Sequence, residues 1–145
     1  MPSGVNLAEA IDFGYKSVEQ AFPDVRHGRV PLLSNYIVQV RRAMNKSKGG
    51  ILLTQTAKES EVQLCTIGRV VAIAPQCFHY ADGRPWPEGP SFEVGDFLQI
   101  PRFGGFRFSV KLDEEEEIVF VVFDHLQQVA KVPRWEDALA VTSYL

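Results

Sequence analysis

The sequence predicts an all-β fold: a small antiparallel barrel with a flexible loop and a hairpin excursion, carrying short helical extensions at both ends. Three observations carry that expectation. Short stretches rich in β-branched and aromatic residues recur between positions 31 and 132, several alternating with polar residues. Signals rich in Gly, Pro and Asp separate them. No helical pattern lies between consecutive strands, so the rhythm of a βαβ architecture is missing. A chain of 145 residues suits one domain.

Taken in order, residues 6–22 carry helix signals. Asn6 with Glu9, and Ser17 with Gln20, each set a capping side chain three positions ahead of one that reaches back. Pro23 and the polar residues 24–29 form a linker, so residues 1–30 read as a partly helical N-terminal extension. Tyr36-Ile37-Val38-Gln39-Val40 is the first strand.

The stretch Lys46-Ser47-Lys48-Gly49-Gly50-Ile51-Leu52-Leu53-Thr54 follows, and residues 54–61 are polar. Two adjacent glycines and a solvated flank make a rigid strand a poor description of the approach. Ile51, Leu52 and Leu53 then form an apolar bead on a mobile string, about 43–61. A short core strand over residues 50–53 is the competing reading, because brief apolar runs are ambiguous.

Val62, Leu64 and Thr66 alternate with Gln63, Cys65 and Ile67. Gly68 breaks the pattern, and Val70-Val71-Ala72-Ile73 continues as a buried strand that Pro75 ends. The segment about 75–91 holds the two-residue turn signal Asp82-Gly83 among several prolines and reads as an excursion from the body. Val94-Gly95-Asp96 is a turn, residues 97–100 a strand, residues 101–105 a turn, and residues 106–112 an alternating strand. The acidic run 113–117 is a solvated turn. Residues 118–123 are continuously apolar, as for a strand covered on both faces. Asp124-His125 turns the chain, residues 126–132 make a last strand, and Trp135, Ala138, Leu139 and Thr142 recur at helical spacing in the extension 133–145.

Composition narrows the function classes. The net charge is −3, and the acidic run outweighs it, so the remainder of the chain is mildly basic without a broad basic face for nucleic acid. Two cysteines, Cys65 and Cys77, are too few for a disulfide scaffold and read as reduced thiols. No apolar run approaches the roughly 18 residues of a membrane span, and residues 1–14 lack a signal peptide's charged start and apolar centre. A cytoplasmic location is expected. No nucleophile motif or phosphate-cradling loop is present, so no enzyme activity and no cofactor are expected. Cys77-x-His79 is the nearest approach to metal-ligand spacing, short of the four ligands a structural zinc needs.

Laid out this way, the chain resembles the chaperonin-10 family, the GroES-type co-chaperonins. Pro31-Leu32, the strand Tyr36 to Val40 and the basic pair Arg41-Arg42 match its opening. Lys46, Ser47, Gly49, Gly50, Ile51, Leu52, Leu53 and Thr54 match its mobile loop. Gly68, Val70, Val71, Ala72 and Ile73 match the following strand. Asp82-Gly83 answers to the roof hairpin, Val94-Gly95-Asp96 to a family turn, and Phe103-Gly104-Gly105 to another. Glu116-Glu117, the strand to Phe123, and Asp124 with Leu126 match the ending. The resemblance covers about 31–132. It departs at Ala74-Pro75-Gln76, where the family has glycines, in a longer loop and roof, and in both extensions. That drift is similar to the phage-encoded co-chaperonin of T4-type phages.

The resemblance implies a homoheptameric lid on a GroEL-type chaperonin, with ATP or ADP bound to that partner, enclosing unfolded client proteins. It implies chaperonin contact by Gly49, Gly50, Ile51, Leu52 and Leu53. It implies subunit pairing through Tyr36, Ile37, Val38, Val40, Leu126, Val129 and Val132, and a roof formed by His79, Tyr80, Asp82, Gly83 and Trp86. No membrane and no nucleic acid partner is expected. The alternative is an OB-like barrel that stacks single-stranded nucleic acid on Arg102-Phe103-Gly104-Gly105-Phe106-Arg107-Phe108.

Overall fold

A computed structural model describes residues 15–42, 67–101, 104–114 and 116–139. Its elements are a one-turn helix α1 (Val18–Ala21), strands β1 (Asn35–Val40), β2 (Ile67–Ile73), β3 (Phe97–Gln99), β4 (Phe106–Lys111), β5 (Glu117–Asp124) and β6 (Ala130–Val132), and a short helix α2 (Trp135–Leu139). The strands make one antiparallel sheet in the order β4-β5-β1-β2-β3-β6.

The link from β5 to β6 shows that this sheet curls. The two strands lie four places apart in the ladder, which in a flat sheet is roughly 19 Å. The intervening chain begins with a turn, where the Gln127 N–H donates to the Asp124 carbonyl at 2.9 Å. A turn brings its ends within about 7 Å, and three further steps add roughly 10 Å at most. The link is too short for a flat sheet. The chain therefore wraps as a small all-β body, as the strand pattern predicts.

Alternation on β1 sorts the core into two faces. Tyr36, Val38 and Val40 point into the larger cluster with Val70, Leu98, Val121 and Phe123, closed by Phe78 and Phe92. Ile37 joins Ile118 and Phe120 on the other face, against Val25 and Phe108. Residues 23–30 lie across that second face as a strap. Gln39, buried in mid-strand, donates to the Pro23 carbonyl at 2.8 Å, which satisfies a polar group that burial would otherwise penalise. His27 packs on Phe120, and the Arg29 guanidinium sits 4.2 Å over the ring of Phe108.

Several local expectations meet their residues here. Ser17 caps α1 by accepting from the Gln20 N–H at 3.1 Å, while the Gln20 side chain accepts from Lys16 N–H. The Gly95 N–H bonds the Val70 carbonyl and the Val70 N–H bonds that of Asp96, seating the 94–96 turn against β2.

Others are corrected. Gly68 does not break a strand; it sits within β2 opposite Val40. A Cβ there would lie 2.1 Å from Val38 Cγ1, so glycine answers a close approach across the ladder. The last strand is only Ala130–Val132 rather than 126–132, because Asp124 turns the chain through Leu126 by accepting its N–H at 3.0 Å. The roof segment is not wholly an excursion, since Phe78 at its base is buried in the larger core cluster. The acidic run is not wholly solvated, since Glu116 is held by Arg42.

Candidate functional site

The β1–β2 pair has two distinct ends. At one, Tyr36 faces Ile73; at the other, Val40 faces Gly68. The second end gives off residues 43–66. Gly49, Gly50, Ile51, Leu52 and Leu53 lie outside the described residues, so the site is described through its two stems.

Those stems are tightly held. The Arg41 N–H donates to the Ile67 carbonyl at 3.1 Å, carrying the pairing past the strand ends. Arg42 is bound through its backbone and its side chain. Its N–H donates to the Ala21 carbonyl at 3.0 Å, and its carbonyl accepts from the Tyr15 hydroxyl. Its Nε donates to Glu116 Oε1 at 3.0 Å. Nη2 lies 2.7 Å from Oε2, an electrostatic contact whose alignment is poor for a second hydrogen bond. Both side chains are largely buried, a setting in which a charged hydrogen bond is worth about 1.5–3 kcal/mol.

The opposite end carries the roof. Asp82-Gly83 lies in a turn, but a three-residue one rather than the expected two. The Gly83 N–H bonds the Tyr80 carbonyl at 2.9 Å, the Tyr80 N–H bonds the Arg84 carbonyl at 2.7 Å, and Gly83 closes the loop at φ +91°. Asp82 pairs with Arg84 at 2.7 Å, and that guanidinium lies over the Tyr80 ring. His79 bridges to Pro85. Trp86 donates its N–H to the Phe78 carbonyl at 2.8 Å and packs on His125 with ring centres 4.6 Å apart. The Phe78 N–H donates to His125 Nδ1 at 3.0 Å. Tyr36 reaches the same region, donating its hydroxyl to the Gln127 carbonyl. Burial, with the charges at Cys77 and Asp124, raises the Tyr36 phenol well above its usual range. His125 was not singled out by sequence reasoning as a packing centre. Its neighbour Asp124 was legible only as a turn.

The subunit-pairing expectation divides. Tyr36, Ile37, Val38 and Val40 are fully buried, and both edges of β1 are laddered within the chain, to β2 and to β5. They have no free backbone for a neighbour, and that part of the expectation is corrected. Leu126 and Val129 are 75% and 58% exposed, with Val132 half-buried on β6. Val30, Leu32 and Leu33 are also exposed and went unnoticed as candidates. Leu33 and Leu126 flank the point where the His125 N–H bonds the Ser34 carbonyl.

Among the described residues of the aromatic–arginine patch, one ring is exposed and one is already covered. Arg102 and Phe103 lie outside the described residues. Phe108 is already stacked on Phe120, with ring planes 10° apart, and covered by Arg29 on its other contact. Phe106 alone of the described aromatics in that patch is exposed. No group of three or more potential metal ligands occurs among the described residues. The Cys77 thiol instead donates to the Asn35 carbonyl at 3.2 Å. No helix among the described residues is long and apolar enough to cross a membrane.

Comparison with known proteins places this architecture. The family model described as the chaperonin 10 Kd subunit matches residues 29–127. The mitochondrial 10 kDa heat shock protein of Saccharomyces cerevisiae is 30% identical over 105 residues, covering 72% of this chain and 89% of the relative. The co-chaperonin GroES of Halothermothrix orenii is 29% identical over 101 residues, covering 70% of this chain and 96% of the relative. With the greater part of the chain inside the family match, and the strands, turns and glycines falling in its order, the protein belongs to the chaperonin 10 family.

Proposed function

We propose that this chain is a co-chaperonin that assembles as a homoheptameric lid on a GroEL-type chaperonin and binds it through Ile51, Leu52 and Leu53. One observation carries the reading: the Gly-Gly-aliphatic segment is strung between two paired stems at one end of an all-β subunit of this family. The partner, not this chain, binds and hydrolyses ATP, and the enclosed species is an unfolded client protein.

Energetics suit a reversible cap. Burying each aliphatic side chain in a groove of the partner is worth roughly 1.5–3 kcal/mol, and ordering the surrounding chain takes part of that back. A single subunit binds weakly. Several subunits held in a ring gain on the order of 10²–10⁴ in avidity, so a small change in each contact releases the whole lid. Exposed Val30, Leu32, Leu126 and Val129, together with the outer edge of β6, offer apolar and backbone surface for ring assembly. The roof, at the far end of the subunit from the stems, closes over the enclosed client.

Replacing Leu52 or Leu53 with Asp should abolish capture by an ATP-loaded GroEL-type ring while leaving the melting of the β body unchanged. Loss of folding in those variants would show that the triplet is core, and the reading would fail. Native mass near seven subunits is expected; a monomer would count against the lid.

A further inference from the structure

We propose that the terminal segments outside the family-wide core form a collar that positions the chaperonin-binding segment, with Arg42 as the positioning residue. The proposal rests on the lid reading. The family match spans residues 29–127, yet residues 15–22 and α2 lie outside it and converge on the stems. Tyr15, Ala21, Phe22 and Leu139 form a small buried cluster with Val18, and Ile67, the first residue of β2, packs against it. A helix of one turn does not hold itself together in water, so this packing is what keeps α1 in place.

The collar grips both stems. Arg41 donates its Nη1 to the Ala138 carbonyl at 3.1 Å, tying β1's exit to α2. Arg42 is tied to the N-terminal side by Ala21 and Tyr15, and its Nη1 reaches the Gln20 carbonyl at 3.4 Å. Glu116, on the approach to β5, holds the guanidinium from the sheet side. Arg42 stands two residues past the end of β1 with both its N–H and its carbonyl bonded, so its fixed backbone sets the direction in which the chain leaves the sheet.

Direction, rather than length, is what the collar controls. Fraying of a few stem residues would lengthen the intervening segment slightly, and closure entropy grows only with the logarithm of length. A stem residue fixed beforehand, however, is one that the partner need not order on binding. The collar therefore acts by preorganisation.

Tyr15→Phe and Glu116→Gln, made singly in the full chain, test this by two readouts. The first is amide hydrogen exchange at Arg41 and Arg42 in the free protein; the second is titration against a GroEL-type chaperonin with ATP. Exchange at those two amides should quicken roughly three- to tenfold, and chaperonin affinity should fall at least about threefold. Native mass should stay at the wild-type value in both variants and the melting midpoint should stay near it in Tyr15→Phe, which separates positioning from general stability. Glu116→Gln, which gives up a charged hydrogen bond, should melt a few degrees lower and is read at a temperature where it is fully folded. Tyr15→Phe is nearly isosteric and keeps the test sound if Glu116→Gln folds poorly. Wild-type exchange in both variants overturns the collar, as does quickened exchange with wild-type affinity. A wild-type protein that ignores the ring sinks the lid reading itself, and the collar's role in binding with it.

Discussion

Replacing Gly68 with alanine would place a methyl carbon 2.1 Å from Val38 Cγ1 and 3.1 Å from the Gln39 carbonyl oxygen. Carbon atoms in contact settle near 3.5–4.0 Å, so something must shift by more than about an ångström. Val38 is β-branched, fully buried and in a strand laddered on both edges, so neither its rotamer nor its backbone yields easily. Overpacking costs roughly 1–3 kcal/mol, and this separation argues for the upper end, about 3 kcal/mol. In a chain of this size that lowers the melting midpoint by roughly 6–12 °C. Val38→Ala alone should cost about 2 kcal/mol for two lost methyl groups and the space they leave. Combined, the new methyl enters the vacated space, and the pair should fall short of additivity by roughly 1–3 kcal/mol. Urea unfolding at fixed subunit concentration measures all four corners of this cycle. Strict additivity, or a Gly68→Ala protein within about 0.5 kcal/mol of wild type, would refute the close approach of β1 and β2 at this point.

Three further outcomes follow from the roof end. His125→Phe keeps a ring against Trp86 but removes the acceptor for the Phe78 N–H; it should cost roughly 1–3 kcal/mol in urea unfolding. Burial pushes the Cys77 thiol up, a hydrogen bond involving the Ala74 backbone opposes this, and the Asp124 charge adds to it. In a Cys65→Ser background, Cys77 should therefore resist iodoacetamide in the native protein and react only on unfolding. Because its folded pKa is raised, its contribution to stability is present below the thiol's ordinary range and is lost as pH rises through it. Partial burial pushes the Asp124 carboxyl up, but hydrogen bonds from the Leu126 N–H and the Ser34 hydroxyl, with His125 nearby, prevail and lower it. A lowered carboxylate stabilises the fold above about pH 4 and loses that contribution as pH falls below it. Asp124→Asn should flatten the acid limb of a stability–pH curve; an unchanged limb would count against these bonds.

Signals that are local in the chain were legible in the sequence. The capping pair Ser17 and Gln20 and the turn at Val94-Gly95-Asp96 depend on neighbours a few residues away, and the structure has each of them. The strand Tyr36 to Val40 is present too, but it is buried on both faces rather than mostly on one, because residues 23–30 cover its second face. What failed depends on partners far along the chain. Gly68 looks like punctuation until Val38 is seen beside it. Glu116 looks solvated until Arg42 arrives from 74 positions away. Phe78 sits among turn residues, yet the space waiting for it is built by Tyr36, Phe92 and Phe123. β1 reads equally well as an edge or a centre, because periodicity reports burial by face and not hydrogen bonding by edge. Of the candidate site, the motif at positions 46–54 is plain in the sequence, whereas the grip of Tyr15 and Ala21 on Arg42 leaves no mark there.

The ladder order also dictates a hazard during synthesis. β1, β2 and β3 emerge early as a meander, but the far edge of β1 waits for β5 and the far edge of β3 waits for β6. Until the ribosome has made residues 117–132, two rows of backbone amides and carbonyls stand open, the situation that invites strand-to-strand aggregation between nascent chains. A chain of the co-chaperonin family thus completes its own sheet only when its sixth strand is made, and shortening it before Ala130 would leave β3 bare on one side.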